Sequence, residues 1–170
     1  MRTFFLILMV VLLSLIQISG LNNSLFAITP NFVLAGLVVL AMLIDFNQLI
    51  WLAFTGGLIL DFNSSVDFGL NTVFLILMIL VIRLIIKTSE ISTKLIYSLI
   101  IVGIATVFYN LVIFTTIIRS SAIINPLNLG FRLAVELVCN LVLTALIYWL
   151  VEFSLAKIEE FNKTRKLKLS

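Results

Sequence analysis

From residue 3 to residue 82 the chain carries no lysine and no arginine, and only three acids, Asp45, Asp61 and Asp67. A stretch of that length, almost all of it apolar, cannot present a folded surface to water. Nine of the eleven Lys and Arg residues fall in three places: Arg2, the segment 83–94 and the tail 157–168. Loops sorted by a membrane have this distribution, with positive charge collected on one side. Composition agrees: 62% of residues are hydrophobic, 11% are charged, and the mean hydropathy is +1.28. A soluble domain is about 45–50% apolar and about 25% charged. The expectation is an all-α, polytopic membrane bundle.

The net charge of +3 and a pI near 9.2 would suit nucleic acid if the positive residues formed a patch. They lie instead in loops and a tail beside apolar spans, which points to a membrane surface and to no nucleic-acid partner. The chain has no histidine and one cysteine, Cys139. A single thiol makes no intrachain disulfide, and without histidine it offers no metal site; Cys139 reads as a small buried hydrophobe. No cofactor is expected.

A bilayer core of about 30 Å takes about 20 helical residues to cross. Apolar runs over 3–18, 69–86, 95–118 and 133–151 are candidate spans. The region 31–60 is interrupted by Asp45, Asn47 and Gln48 and reads as one long helix or as two joined by a tight turn. Charge decides between them. Two helices give six spans with both termini on one side, and nine positive residues face two, Arg119 and Arg132. One helix gives five spans and a poorer split of eight against three, with Arg2 stranded. Six spans also place Asp45 in a solvated turn, sparing it the cost of mid-bilayer burial. Pro30 fits a helix-start position, with Asn31 following. The residues from Gln17 to Gly20 lack a small-x-small cleavage pattern, so the first helix is expected to be retained. The division expected is one helical bundle over 1–156 and a basic cytoplasmic tail over 157–170 that extends the last helix.

Polar residues inside apolar helices are the informative ones. Ala53, Gly57 and Asp61 recur every four residues, with Gly56 alongside; small residues at that spacing let two backbones approach closely. Arg132, Glu136, Asn140 and Thr144 share one face of the last helix, where Arg132 and Glu136 can pair, and the opposite face suits lipid. Gly103, Thr106 and Asn110, with Tyr109, make a comparable stripe on the preceding helix and read as its partner seam. Asp61 stands at a helix carboxyl end, where the macrodipole is already negative. Such a residue needs a specific partner, and Arg119 or Arg132 on the same outer side is the expected one. These groups serve packing more readily than ligand binding or proton relay.

The run from Gly57 through Asp61, a Ser-containing turn, then Gly69-Leu70-Asn71 leading into an apolar helix resembles the rod shape-determining MreD family. Pro30-Asn31 is similar to that family's Pro-Asp/Asn helix entry. Length, six spans and a basic tail are similar too, while the specific residues are limited to Pro30, Gly57, Asp61, Gly69 and Asn71. The resemblance implies a bacterial inner-membrane subunit of the cell-elongation machinery with cytoplasmic termini. It would work with an MreC-like periplasmic scaffold, the MreB filament and the peptidoglycan-synthesising enzymes. It also implies a helical architecture similar to the substrate-binding subunits of energy-coupling-factor transporters.

Three functional classes follow. The first is a non-catalytic assembly subunit that offers seams of small and polar residues to a partner's transmembrane helix, with no small-molecule substrate. The second is a transporter subunit of the energy-coupling-factor type. The Ala-x-x-x-Ala docking patch of those subunits has no counterpart in the first helix here, which contains no alanine. The third is an intramembrane enzyme. It is the poorest fit, because the chain has no histidine, no Gly-x-Ser-x-Gly and no acids on adjacent turns of a span.

Overall fold

The computed structural model describes residues 2–19, 30–64, 67–88, 94–119 and 126–167. Its ordered elements are all helical, six in chain order: α1 (Arg2–Ile18), α2 (Phe32–Leu43), α3 (Phe46–Asn63), α4 (Leu70–Thr88), α5 (Lys94–Arg119) and α6 (Pro126–Leu167). The expected outer loop at 21–29 lies outside the described residues.

The shortest helix organises the rest. Over its 12 residues α2 has no polar side chain, and every residue from Val33 to Ala41 is buried. A helix apolar on all sides has to be central, and α2 packs against each of the other five. Its start is fixed by Asn31, the N-cap, whose side chain accepts a hydrogen bond from the Leu34 N–H at 2.9 Å. Pro30 therefore stands one residue before the cap, with the first helical turn opening at Phe32.

Residues 31–60 form two helices. Ile44 and Asp45 are both extended, which ends α2 and lets α3 begin at Phe46. Asp45 and Asn47 are exposed at this turn and Gln48 is half-buried. Arg83, from the far part of α4, closes the turn: its Nη2 donates to the Ile44 carbonyl, and its guanidinium lies 5.9 Å from the Phe46 ring centroid. A cation on the carboxyl end of α2 also meets the negative pole of that helix. The turn makes a direct prediction for cysteine labelling of folded protein in mild detergent. Asn47→Cys is expected to react readily with a maleimide, while Leu49→Cys, at a position 0% exposed, stays protected until denaturant is added. Equal protection of both would restore the single long helix.

The outside of the bundle is apolar. Leu8 and Leu12 on α1, Leu77 on α4, Ile104 on α5, and Val142 and Leu146 on α6 are each about half exposed or more. The α6 face opposite Glu136 and Asn140 is thus apolar and outward. Conversely, Ser14, Asn31, Asp61, Asn71, Thr106, Glu136 and Asn140 are buried. This inverts the arrangement of a water-soluble domain, where buried polar groups are the exception. Two segments, Lys94–Thr115 and Gly130–Ile158, are long and apolar enough to cross a membrane; Thr3–Ile18, Phe32–Leu43 and Leu70–Ile86 are shorter apolar helices. The last helix runs without a break past residue 156 to Leu167.

Candidate functional site: a buried polar layer at one end of the bundle

Asp61 lies in the last turn of α3, 3% exposed, and takes hydrogen bonds from the first turn of α4. Its Oδ1 accepts from the Asn71 backbone N–H at 2.9 Å and from Asn71 Nδ2 at 3.0 Å. Its Oδ2 accepts from the Thr72 backbone N–H at 3.1 Å and from the Thr72 hydroxyl. Asn71 and Thr72 are the second and third residues of α4, and their N–H groups are the ones an N-cap side chain normally serves. The residue at the N-cap position is Gly69, which has no side chain to offer. Gly69 instead allows the turn itself, with φ +93°, a conformation that costs glycine little and other residues more. Asp61 therefore caps α4 from the end of the preceding helix. The positive pole of α4 offsets its unfavourable position at the negative pole of α3.

Among the described residues the partners of Asp61 are four donors on α4, and Arg132 is exposed, which corrects the expected pairing with Arg132. The alternative partner, Arg119, closes α5 with its side chain outside the described residues.

The small-residue seam serves the same joint. Ala53 is 0% exposed and Gly57 is buried. A Cβ on Gly57 would stand 2.5 Å from Thr72 Cα and 3.0 Å from Thr72 N. Glycine is what lets α3 lie against the backbone of α4, bringing the Asp61 carboxylate within reach of Thr72. The seam is consumed inside the chain, as its reading as a packing seam had it, and Gly57 is not open to a partner's helix.

Beyond this joint the polar contacts continue across the bundle. Asn71 Oδ1 accepts from the Tyr109 hydroxyl at 2.8 Å, tying α4 to α5. Asn140 ties α6 to two further helices: its Oδ1 accepts from the Asn31 N–H at 2.8 Å, and its Nδ2 donates to Thr106 Oγ1 at 2.9 Å. Gln17 adds α1 to the series, its Oε1 accepting from the Val33 N–H at 3.1 Å. Glu136, 3% exposed, is hydrogen-bonded to Asn110, with Arg132 a further electrostatic neighbour. The carboxyl end of α1, α3 and α5 and the amino end of α2, α4 and α6 thus meet in one layer. The Arg83–Ile44 contact marks the opposite end.

Most of the expected polar residues meet here: Asn31, Asp61, Asn71, Glu136 and Asn140, with Gly57 and Gly69 supporting the joint. Thr106 and Asn110 do face α6, as a partner seam should. Gly103 does not share that role, because a Cβ there would meet nothing within 4 Å. Sequence reasoning missed Thr72 and Gln17. Thr72 had a signal, a hydroxyl and a free N–H in the first turn after Gly69; Gln17 had none beyond being a polar residue in an apolar helix.

The arrangement defines a class: a helical bundle with an apolar exterior, whose buried polar side chains are spent on joining its own helices. Its donors and acceptors face each other, and no group of three or more Asp, Glu, Cys or His that could hold a metal occurs among the described residues. No protein-family model, no curated protein and no solved structure matches the chain.

Proposed function

We propose that the protein is a non-catalytic, six-span subunit of a bacterial inner-membrane assembly, in the manner of the rod shape-determining MreD family. The observation that carries the membrane part is the inverted surface: large apolar side chains such as Phe4, Leu77, Phe108 and Leu146 point outward while carboxylates and amides are inside. At 1.5 Å per residue, α1, α3 and α4 are about 25–29 Å long and α2 only about 18 Å, short of a full span by itself but shielded from lipid by the other five helices. The polar layer would face the periplasm, and the Arg83 end, with both termini, the cytoplasm.

The MreD part rests on five residues and their physical roles. Gly57, Asp61, Gly69 and Asn71 build one joint, and Pro30 precedes the Asn31 cap that Asn140 holds. A motif that sets the geometry of the whole outer end would persist in a subunit whose work is to hold a defined shape for a partner. With the polar layer satisfied internally, partners would meet the apolar flanks and the helix ends.

The test is affinity purification from the native host after mild cross-linking in membranes. A single-pass, coiled-coil periplasmic protein and peptidoglycan synthases are the expected companions. Recovery of paired ATPases with a coupling membrane protein would give the transporter reading instead. So would tight one-to-one binding of a vitamin-sized molecule by the isolated protein. Reporter fusions after Gly20 and after Ser170 should report opposite sides of the membrane; the same side for both would end the six-span arrangement.

A further inference from the structure

The chain has two tryptophans, Trp51 on α3 and Trp149 on α6. Both point out of the bundle, at 70% and 74% exposure, and each meets a phenylalanine on its own helix, Phe54 and Phe153. They stand at one height. Trp51 precedes Asp61 by ten residues and Trp149 follows Asn140 by nine, so each lies about 14–15 Å from the polar layer, toward the Arg83 end. Tyr97, half-buried on α5, precedes Thr106 by nine residues and falls at the same height. The first charges come less than one helical turn further on. Arg83, Lys94 and Glu152 are each twelve residues from Asn71, Thr106 and Asn140 respectively, about 18 Å from the layer. Between the layer and that height none of the six helices carries a charged residue. On α6 the same face continues from Trp149 through Phe153 to Lys157, whose Nζ lies 4.7 Å from the Phe153 ring centroid. The two tryptophans belong to different flanks, because α3 packs chiefly on α4 and α1, and α6 on α5 and α2. A protein partner would cover one patch, whereas a bilayer boundary meets every flank at one height. Indole and phenol rings favour that boundary, since the ring is apolar and its N–H or O–H stays wet.

We propose that Trp51, Tyr97 and Trp149 form an interfacial belt that docks the bundle in the head-group region of the cytoplasmic leaflet, with Lys157 beyond it beside the lipid phosphates. The belt rests on the membrane reading but not on any protein partner, and it fixes the depth at which the bundle sits. The last helix then leaves the bilayer near Glu152 and runs on for about 22 Å to Leu167.

With only two tryptophans, replacing either by phenylalanine leaves the other as a single depth probe. The full chain, as Trp51→Phe and as Trp149→Phe, is reconstituted into vesicles of phosphatidylcholine brominated either near the carbonyls or near the methyl ends of its chains. Fluorescence loss is compared between the two lipids and with aqueous iodide. In both variants the carbonyl-end bromine should quench more than the methyl-end bromine, and the two variants should give the same ratio. A third variant, Val142→Trp with both native tryptophans replaced, carries its probe on the same α6 exterior about 10 Å nearer the polar layer; its ratio should shift toward methyl-end quenching. Stronger methyl-end quenching of Trp51 or Trp149 would overturn the belt while leaving the membrane reading in place. So would one tryptophan at carbonyl depth with the other quenched mainly by iodide, which would make the second a surface for a protein partner. Iodide quenching of both, with no loss from either lipid or with protein that does not float with the vesicles, would overturn the membrane reading and the belt with it.

Discussion

Asp61→Ala is expected to cost the folded protein about 3–5 kcal/mol, a large part of the total for a domain of this size. Hydrogen bonds to a charged acceptor contribute about 1.5–3 kcal/mol each, but four donors on two adjacent residues share one carboxylate and cannot add in full. The variant leaves the Asn71 and Thr72 N–H groups buried without acceptors, at the positive end of a helix that has no other cap. The measurement is the thermal midpoint and the monodisperse yield in a mild detergent, with exposed Asp67→Ala as the control near wild type. Asp61→Asn should fall between, since its amide keeps one acceptor but sets an NH₂ against donors. Because the partner is a helix end, Asp61→Arg combined with Arg132→Asp should be no better folded than Asp61→Arg alone. A wild-type midpoint for Asp61→Ala would remove the cap from the account of this fold.

That contrast shows what the sequence could and could not convey. An aspartate at the carboxyl end of an apolar helix is visibly misplaced, so its need for a partner was legible. The partner's identity was not, because the positive pole of α4 is made of backbone N–H groups and has no letter of its own. Arginines do have letters, and they drew the expectation. The same limit applies to Ala53 and Gly57: spacing of four announces a close approach but does not say to what, and the answer is the backbone of Thr72. Gly103, in the stripe with Thr106 and Asn110 on α5, meets open space, since only the crossing of two helices decides which small residue is used.

The helices themselves were legible for a simpler reason. Apolar runs long enough to be helices are bounded by charge and by Pro30 and Gly69, and those boundaries are local. The turn within 31–60, marked by Asp45, Asn47 and Gln48, follows instead from how positive charge divides between the two sides, a property of the whole chain, and the structure places the break at Ile44–Asp45. Arg83 was counted in that sum as a loop charge. It lies within α4 and reaches back to the α2–α3 turn, so it contributes to the division and also holds that turn. Charge counting cannot distinguish these roles, because a cation near a helix carboxyl end favours the same side of the bundle whether or not it makes a contact.

Gly57→Leu should yield little or no folded protein, and even Gly57→Ala is expected to lose about 2–3 kcal/mol, at the upper end of overpacking by one methyl group. The reason is the identity of the obstacle. The added Cβ would stand 2.5 Å from Thr72 Cα, and a backbone atom within a helix cannot rotate aside as a side-chain terminus can. Relief requires α4 to move away from α3, and the Thr72 N–H and hydroxyl move with it, out of reach of Asp61. The two substitutions therefore break one joint. In a double-mutant cycle, Gly57→Ala with Asp61→Ala should cost clearly less than the sum of the single losses, with a coupling of about 1 kcal/mol or more. Gly103→Ala is the matched control on α5: it meets nothing within 4 Å and should gain up to about 1 kcal/mol from helix propensity alone. Unfolding midpoints of the four variants and the wild type in one detergent provide the whole comparison. Additive losses at 57 and 61 would mean that close approach and capping are separate features, and a folded, stable Gly57→Leu protein that fails only to hold a membrane partner would return the seam to the outside of the bundle.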